Sequence, residues 1–144
     1  MTRRLPLFLL ILAVGLFRGS LALANEPGDG KERPGGSVAR VFTINDSGRE
    51  IKVRRGDSFR VELEAPGATG YLWEVEDLDT SRLDLVNKST RVLLSDGRVG
   101  GPIVTVFTFR AVSEGSVTLT IEYYRPWEGR ATSERSFSLK VNIL

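Results

Sequence analysis

The sequence predicts an all-β fold, an immunoglobulin-like antiparallel β-sandwich of seven or eight strands. Three observations predict it. From Val38 onward, short runs alternate apolar and polar residues, as at 58–64, where Phe59, Val61 and Leu63 share one face and charges fill the other. Clusters of Gly, Asn, Asp, Ser and Pro separate these runs at intervals of about eight to twelve residues. No segment sustains a helical period.

The elements follow in order. A first strand is read over 38–44, ended by Asn45-Asp46-Ser47-Gly48, a group of turn formers. Residues 50–53 form a short second run, and Arg54-Arg55-Gly56-Asp57 turns the chain into the strand at 58–64. Ala65-Pro66-Gly67-Ala68-Thr69-Gly70 is a loop of small residues. Alternation resumes at 71–75, with Tyr71, Trp73 and Val75 on one face and Trp73 as the expected core anchor. Residues 83–94 read as one long strand or as two weak runs around Asn87-Lys88, and 95–102 is a second, Gly-rich loop. Strands at 103–110 and 116–123 are joined by a hairpin-type turn at Ser113-Glu114-Gly115. Pro126 has no N–H for a ladder, so the strand stops near Tyr124-Arg125-Pro126-Trp127-Glu128. The strand at 136–143 closes the fold, with Phe137, Leu139, Val141 and Ile143 on one face.

Ahead of this domain, Arg3-Arg4, the apolar run 5–17 and Ala22-Leu23-Ala24 form the three parts of an export signal, assigned to residues 1–24. The apolar run is too short for a membrane span. Residues 25–37, NEPGDGKERPGGS, read as a flexible leader, and 38–144 as the folded domain. Removing the signal takes Arg3, Arg4 and Arg18 and no acidic residue, so 20 basic residues become 17 against 18 acidic, a balance of about −1. The mature chain therefore has no charge excess that would favour nucleic acid or an anionic membrane surface.

The chain contains no cysteine and no histidine. Thiol nucleophiles, Ser-His-Asp triads, histidine bases and nearly all zinc sites are excluded. The densest carboxylates, Asp77, Asp79 and Asp84, have no paired base and read as a solvated rim, so an enzyme is not expected and no cofactor or metal is called for. The chain is read as a monomer.

Three loops stand out at 66–70, 96–102 and 125–128. Two strands separate the second from the third, and an even number separates the first from the second if 83–94 counts as one strand. In an antiparallel sandwich such loops share a pole, which is how these folds present binding loops. The first loop is small and flexible, with one hydroxyl at Thr69; the second carries Gly100 and Gly101; the third carries Trp127, stiffened by Pro126. Trp and Arg are enriched at binding hot spots. Read on its own, Trp127 is equally a contact residue or a plug folded back onto the sandwich.

Thr69-Gly70-Tyr71-Leu72-Trp73, then Gly100-Gly101 and Phe107-Thr108-Phe109-Arg110-Ala111, then Tyr124-Arg125-Pro126-Trp127-Glu128, occur in an order and spacing that resemble the chagasin-type inhibitors of papain-like cysteine peptidases. The resemblance runs from about Val41 to Leu144. It implies an immunoglobulin-like sandwich whose three loops wedge reversibly into a peptidase's active-site cleft, with no covalent intermediate. It also implies a peptidase-binding set of Gly67, Ala68, Thr69, Gly70, Tyr71, Gly100, Gly101, Arg125, Pro126 and Trp127, with Thr69 nearest the catalytic cysteine and Trp127 on an aromatic surface. The family's first loop reads Asn-Pro-Thr-Thr-Gly-Tyr; here it is Pro66-Gly67-Ala68-Thr69-Gly70-Tyr71, or, in another alignment, Pro66 is the family Pro and Gly67 an insertion. Either way a more mobile tip is expected. The alternative function is a non-inhibitory module that binds a cell-envelope protein or a glycan through the same loops, with Tyr123 or Tyr124 joining Trp127 against a sugar ring.

Overall fold

The computed structural model describes residues 39–93 and 100–144; the signal, the leader, Val38 and the part of the second loop at 94–99 lie outside them. Eight strands make the fold: β1 (Arg40–Phe42), β2 (Arg49–Val53), β3 (Ser58–Ala65), β4 (Leu72–Glu76), β5 (Leu83–Val92), β6 (Ile103–Ala111), β7 (Gly115–Tyr124) and β8 (Arg135–Ile143). They form two four-stranded sheets, ordered β1-β3-β6-β5 and β2-β8-β7-β4.

The alternation seen in the sequence becomes the core directly. Register sets Phe59 opposite Phe109 and Val61 opposite Phe107 in one sheet, and Leu119 opposite Leu139 and Ile121 opposite Phe137 in the other. All eight are fully buried. Each such side chain contributes about 1.5–3 kcal/mol by leaving water, which is what holds two sheets together without a disulfide. Trp73 is 1% exposed, as a core anchor should be.

Two local expectations change. The first strand ends at Phe42 instead of running to residue 44. The Asp46 carboxylate accepts the Thr43 amide at 2.9 Å and the Arg49 guanidinium at 2.6 Å, which folds Ile44–Asp46 into a 3-10 turn. That turn carries the chain from one sheet to the other. β1 then pairs parallel with β3 and β2 parallel with β8, so the two are halves of one edge strand, and the purely antiparallel expectation fails at these two edges. Residues 83–92 form a single strand. Its register shifts between Leu85 and Asn87, so the weak spot in the pattern is a bulge at Val86.

β3, β5 and β7 run toward one pole, and the three loops of interest leave from their ends. Two strands separate each loop from the next, as the single-strand reading of 83–92 required. β1 is entered, and β8 left, at the opposite pole.

Leu139, fully buried at the centre of β8, reports on this core. Leu139→Ala is expected to lower unfolding free energy by about 2–5 kcal/mol. Chemical denaturation should show the midpoint falling with the slope unchanged.

Candidate functional site

The first loop follows β3. Ala68 sits in the left-handed region at φ 61 and Gly70 at φ 78, so the tip is a tight reversal with the exposed Ala68 foremost. Thr69 turns inward. Its hydroxyl accepts the Tyr71 amide at 3.3 Å and lies 3.3 Å from the Tyr123 hydroxyl, and its carbonyl accepts Arg125 Nε at 3.3 Å.

The second loop is described at Leu93 and at Gly100-Gly101-Pro102, where the Leu93 amide donates to the Pro102 carbonyl at 2.8 Å. Its backbone lies against the first loop. A Cβ placed on Gly67 would collide with the Gly101 carbonyl and come within 3.0 Å of that of Gly100. Gly67 is therefore required by contact between two backbones.

The third loop begins with a turn in which the Glu128 amide donates to the Arg125 carbonyl at 2.9 Å. Arg125 and Glu128 form an ion pair at 3.1 Å, which raises the guanidinium's already high pKa and keeps it charged. Trp127 is 70% exposed, yet one edge of its indole covers Gly70: a Cβ there would lie 2.5 Å from Cη2. It is no plug in the core; it stands at the pole and walls the first loop. Behind it the chain makes a 3-10 turn, Arg130–Thr132, pinned by Arg130 to Asp77 at 2.7 Å and to Glu122 at 3.0 Å.

An aromatic column joins these loops to the core. Tyr71 stacks on Tyr123 at 5.1 Å, and Tyr123 meets Trp73 at 4.9 Å. Arg125 covers the outer face of Tyr71 at 4.6 Å, and Arg135 lies 5.3 Å from the Trp73 ring. The Tyr71 hydroxyl donates to Glu134 at 2.6 Å; that bond, helped by partial desolvation, pushes the phenol above its ordinary pKa and keeps it a donor. The Trp73 indole N–H donates to the Glu64 carbonyl at 3.2 Å, at the root of the first loop. Beside that root, where β1 stops short, lies an open groove of about 720 Å³ between Glu62, Glu64, Arg91 and Pro102.

The site residues read from the sequence therefore converge: Gly67 meets Gly100 and Gly101, Thr69 and Tyr71 meet Arg125, and Gly70 meets Trp127, while Ala68 and Pro126 stand exposed at two tips. Sequence reasoning missed Glu134 and Arg130, and offered Tyr123 to a sugar ring where the structure stacks it between Tyr71 and Trp73. The register Trp73–Tyr123, inferable from the alternation, pointed to Tyr123; nothing in the pattern pointed to Glu134, 63 residues from its partner.

Among the described residues, the three carboxylates singled out in the sequence lie between the end of β4 and the start of β5, at the pole away from the loops, and form no acid–base pair. Asp77 is paired with Arg130, Asp79 accepts the Ser81 hydroxyl, and Asp84 lies 3.6 Å from Arg110 on the surface. Among the described residues no three acidic side chains come together in a way that could hold a metal ion. The fold and the site define a β-sandwich that gathers three loops at one end.

The family described as Chagasin family peptidase inhibitor I42 matches residues 52–141, and the chain belongs to that family. Its members are inhibitors of proteases, not enzymes. Amoebiasin-2 of Entamoeba histolytica is 26% identical over 110 residues, covering 74% of this chain and 87% of its own. Among solved structures, the cysteine protease inhibitor EhICP2 from Entamoeba histolytica superposes with a TM-score of 0.67 at 23% identity, covering 74% of this chain and 96% of its own. PbICP-C, solved in complex with falcipain-2, does so with a TM-score of 0.51 at 16% identity, over 74% and 91% of the two chains. The glycan or envelope module has no support among these relatives, and Tyr123, 3% exposed, is too buried to join Trp127 against a sugar.

Gly70→Ala tests the packing of the first loop against the third. It places a methyl on a positive-φ residue and against the Trp127 indole, and is expected to cost about 1–3 kcal/mol. In NMR spectra the indole N–H of Trp127 should shift while that of Trp73 stays in place.

Proposed function

We propose that this chain is a reversible, non-covalent inhibitor of papain-like cysteine peptidases that fills the enzyme's cleft with its first, second and third loops. The observation that carries this reading is the convergence of the three loops into one wedge, narrow at Gly67-Ala68 and flanked by an exposed Trp127. Family membership supports it, as does a structural relative described as a cysteine protease inhibitor and another bound to falcipain-2, a papain-like cysteine protease. A tip without a projecting side chain suits entry into a cleft shaped for an extended peptide. A chain reversed at Ala68 and Gly70 does not lie across the catalytic thiol as an extended peptide, so the inhibitor stays uncleaved. Ala68, the backbone of Gly67 and Gly70, Gly100-Gly101 and the Pro126-Trp127 edge form the contact surface in this reading.

The recombinant domain 38–144 is expected to inhibit papain stoichiometrically and to be recovered uncleaved; no inhibition of any papain-like enzyme at micromolar concentration would overturn the proposal. Trp127→Ala is expected to raise the inhibition constant about 30-fold, the equivalent of about 2 kcal/mol for an aromatic hot spot. Because Trp127 is largely solvent-exposed, thermal stability should change far less than affinity.

We further propose that residues 1–24 direct export and that the inhibitor works in the periplasm or outside the cell, where a chain without cysteine needs no oxidative folding. N-terminal sequencing of protein recovered from the exported fraction is expected to begin at Asn25. A mature protein that keeps Arg3-Arg4 would refute this.

A further inference from the structure

We infer that Arg125 acts as a positioning residue, coupling the first loop to the third so that both meet a peptidase as one body. The inference rests on the inhibitory function proposed above and assigns the residue an inward role. Two of its three guanidinium nitrogens and one face of its plane are engaged within the domain. Nε donates to the Thr69 carbonyl at 3.3 Å, Nη1 to Glu128 at 3.1 Å, and the plane covers the Tyr71 ring at 4.6 Å. These contacts reach three different places: the tip of the first loop, its base and the turn that carries Trp127.

The first loop needs such a brace. Gly67 and Gly70 leave its backbone free in the unfolded chain, Ala68 holds a disfavoured φ of 61, and the local support is one 3.3 Å bond from the Tyr71 amide to the Thr69 hydroxyl. A planar, always-charged fork can satisfy a carbonyl, a carboxylate and a ring face at once; an ammonium cannot. Tyr71 completes the lock from the other side, since its hydroxyl is held by Glu134 at the far end of the third loop. Arg125 and Glu134 thus grip Tyr71 from the two ends of the loop that carries Trp127.

Loosening this lock lowers the fraction of molecules whose first loop is already in the binding shape. Apparent affinity falls in proportion to that fraction, and the loss enters through association, because a wrongly shaped loop fails at encounter. A side chain that touches the peptidase directly would change dissociation instead.

The test uses Arg125→Ala, Arg125→Lys, Tyr71→Leu and the double variant Arg125→Ala/Tyr71→Leu in the folded domain 38–144. Hydrogen exchange of the Tyr71 amide, which donates to the Thr69 hydroxyl, is measured with no peptidase present, and association and dissociation rates are measured with papain. Arg125→Ala is expected to speed exchange at that amide about tenfold and to slow association by about the same factor, with dissociation nearly unchanged. Arg125→Lys keeps the charge opposite Glu128 and should recover only part of the association rate. The double variant should lose less than the product of the single losses, because both changes open one lock. Wild-type exchange in Arg125→Ala, or fully multiplicative losses carried by dissociation, would overturn the inference and make Arg125 a direct contact. If the wild-type domain inhibits no papain-like enzyme, the functional proposal fails, and the exchange data still decide whether Arg125 braces the loop.

Discussion

The structure depends on a column of aromatic rings at one end of the sandwich. Trp73 belongs to the core, Tyr123 rests on it, Tyr71 rests on Tyr123, Arg125 covers the outer ring, and Arg135 flanks Trp73 and Tyr123. The column begins among fully buried side chains and finishes at the base of an exposed loop. Rigidity generated by packing deep in the domain is thereby carried to a surface whose own backbone is rich in glycine. Without it, the first and third loops would be ordinary turns whose shapes were set independently. With it, their relative position follows from the register of β4 against β7, which pairs Trp73 with Tyr123.

This arrangement changes the meaning of the departures from the family's first-loop pattern. The Asn of that pattern can brace the turn locally by bonding its own backbone. Here Gly67 has no side chain because the carbonyls of Gly100 and Gly101 occupy that space, and the neighbouring loop's backbone serves as the support. Thr69, the residue the resemblance sets nearest the catalytic cysteine, is committed within the domain through both its side chain and its carbonyl. What the tip offers outward is backbone and one methyl group. Local rigidity has been exchanged for contact between loops, and the first loop depends on its neighbours for its shape.

Much of the fold was legible because alternation is a property of single residues and their nearest neighbours. Phe59, Val61 and Leu63, or Phe137, Leu139 and Val141, reveal their strands without knowledge of any partner. The count of strands then placed three loops at one pole, which is a topological deduction and needs no side-chain detail. The sequence was less informative where a side chain's destination depends on tertiary context. Asp46, which in the pattern is one more turn former, captures the Thr43 amide and so splits the edge strand between two sheets. Arg125 stood out as an exposed hot-spot type, while the partners that turn it inward lie in another loop. Glu134, in a polar stretch with no motif, finds Tyr71 only once the column has formed.

The split edge strand also fixes the direction in which the molecule faces. Because β1 is entered and β8 left at the pole far from the loops, both attachment points act as a handle on the rear of the domain. A solid support, a fluorescent label or a fused partner joined at either point would sit about one strand length, roughly 30 Å for nine residues, behind the wedge. Two copies joined in tandem could each keep an unobstructed front, so the avidity of such a pair would be set by the spacer between them and not by interference at the loops.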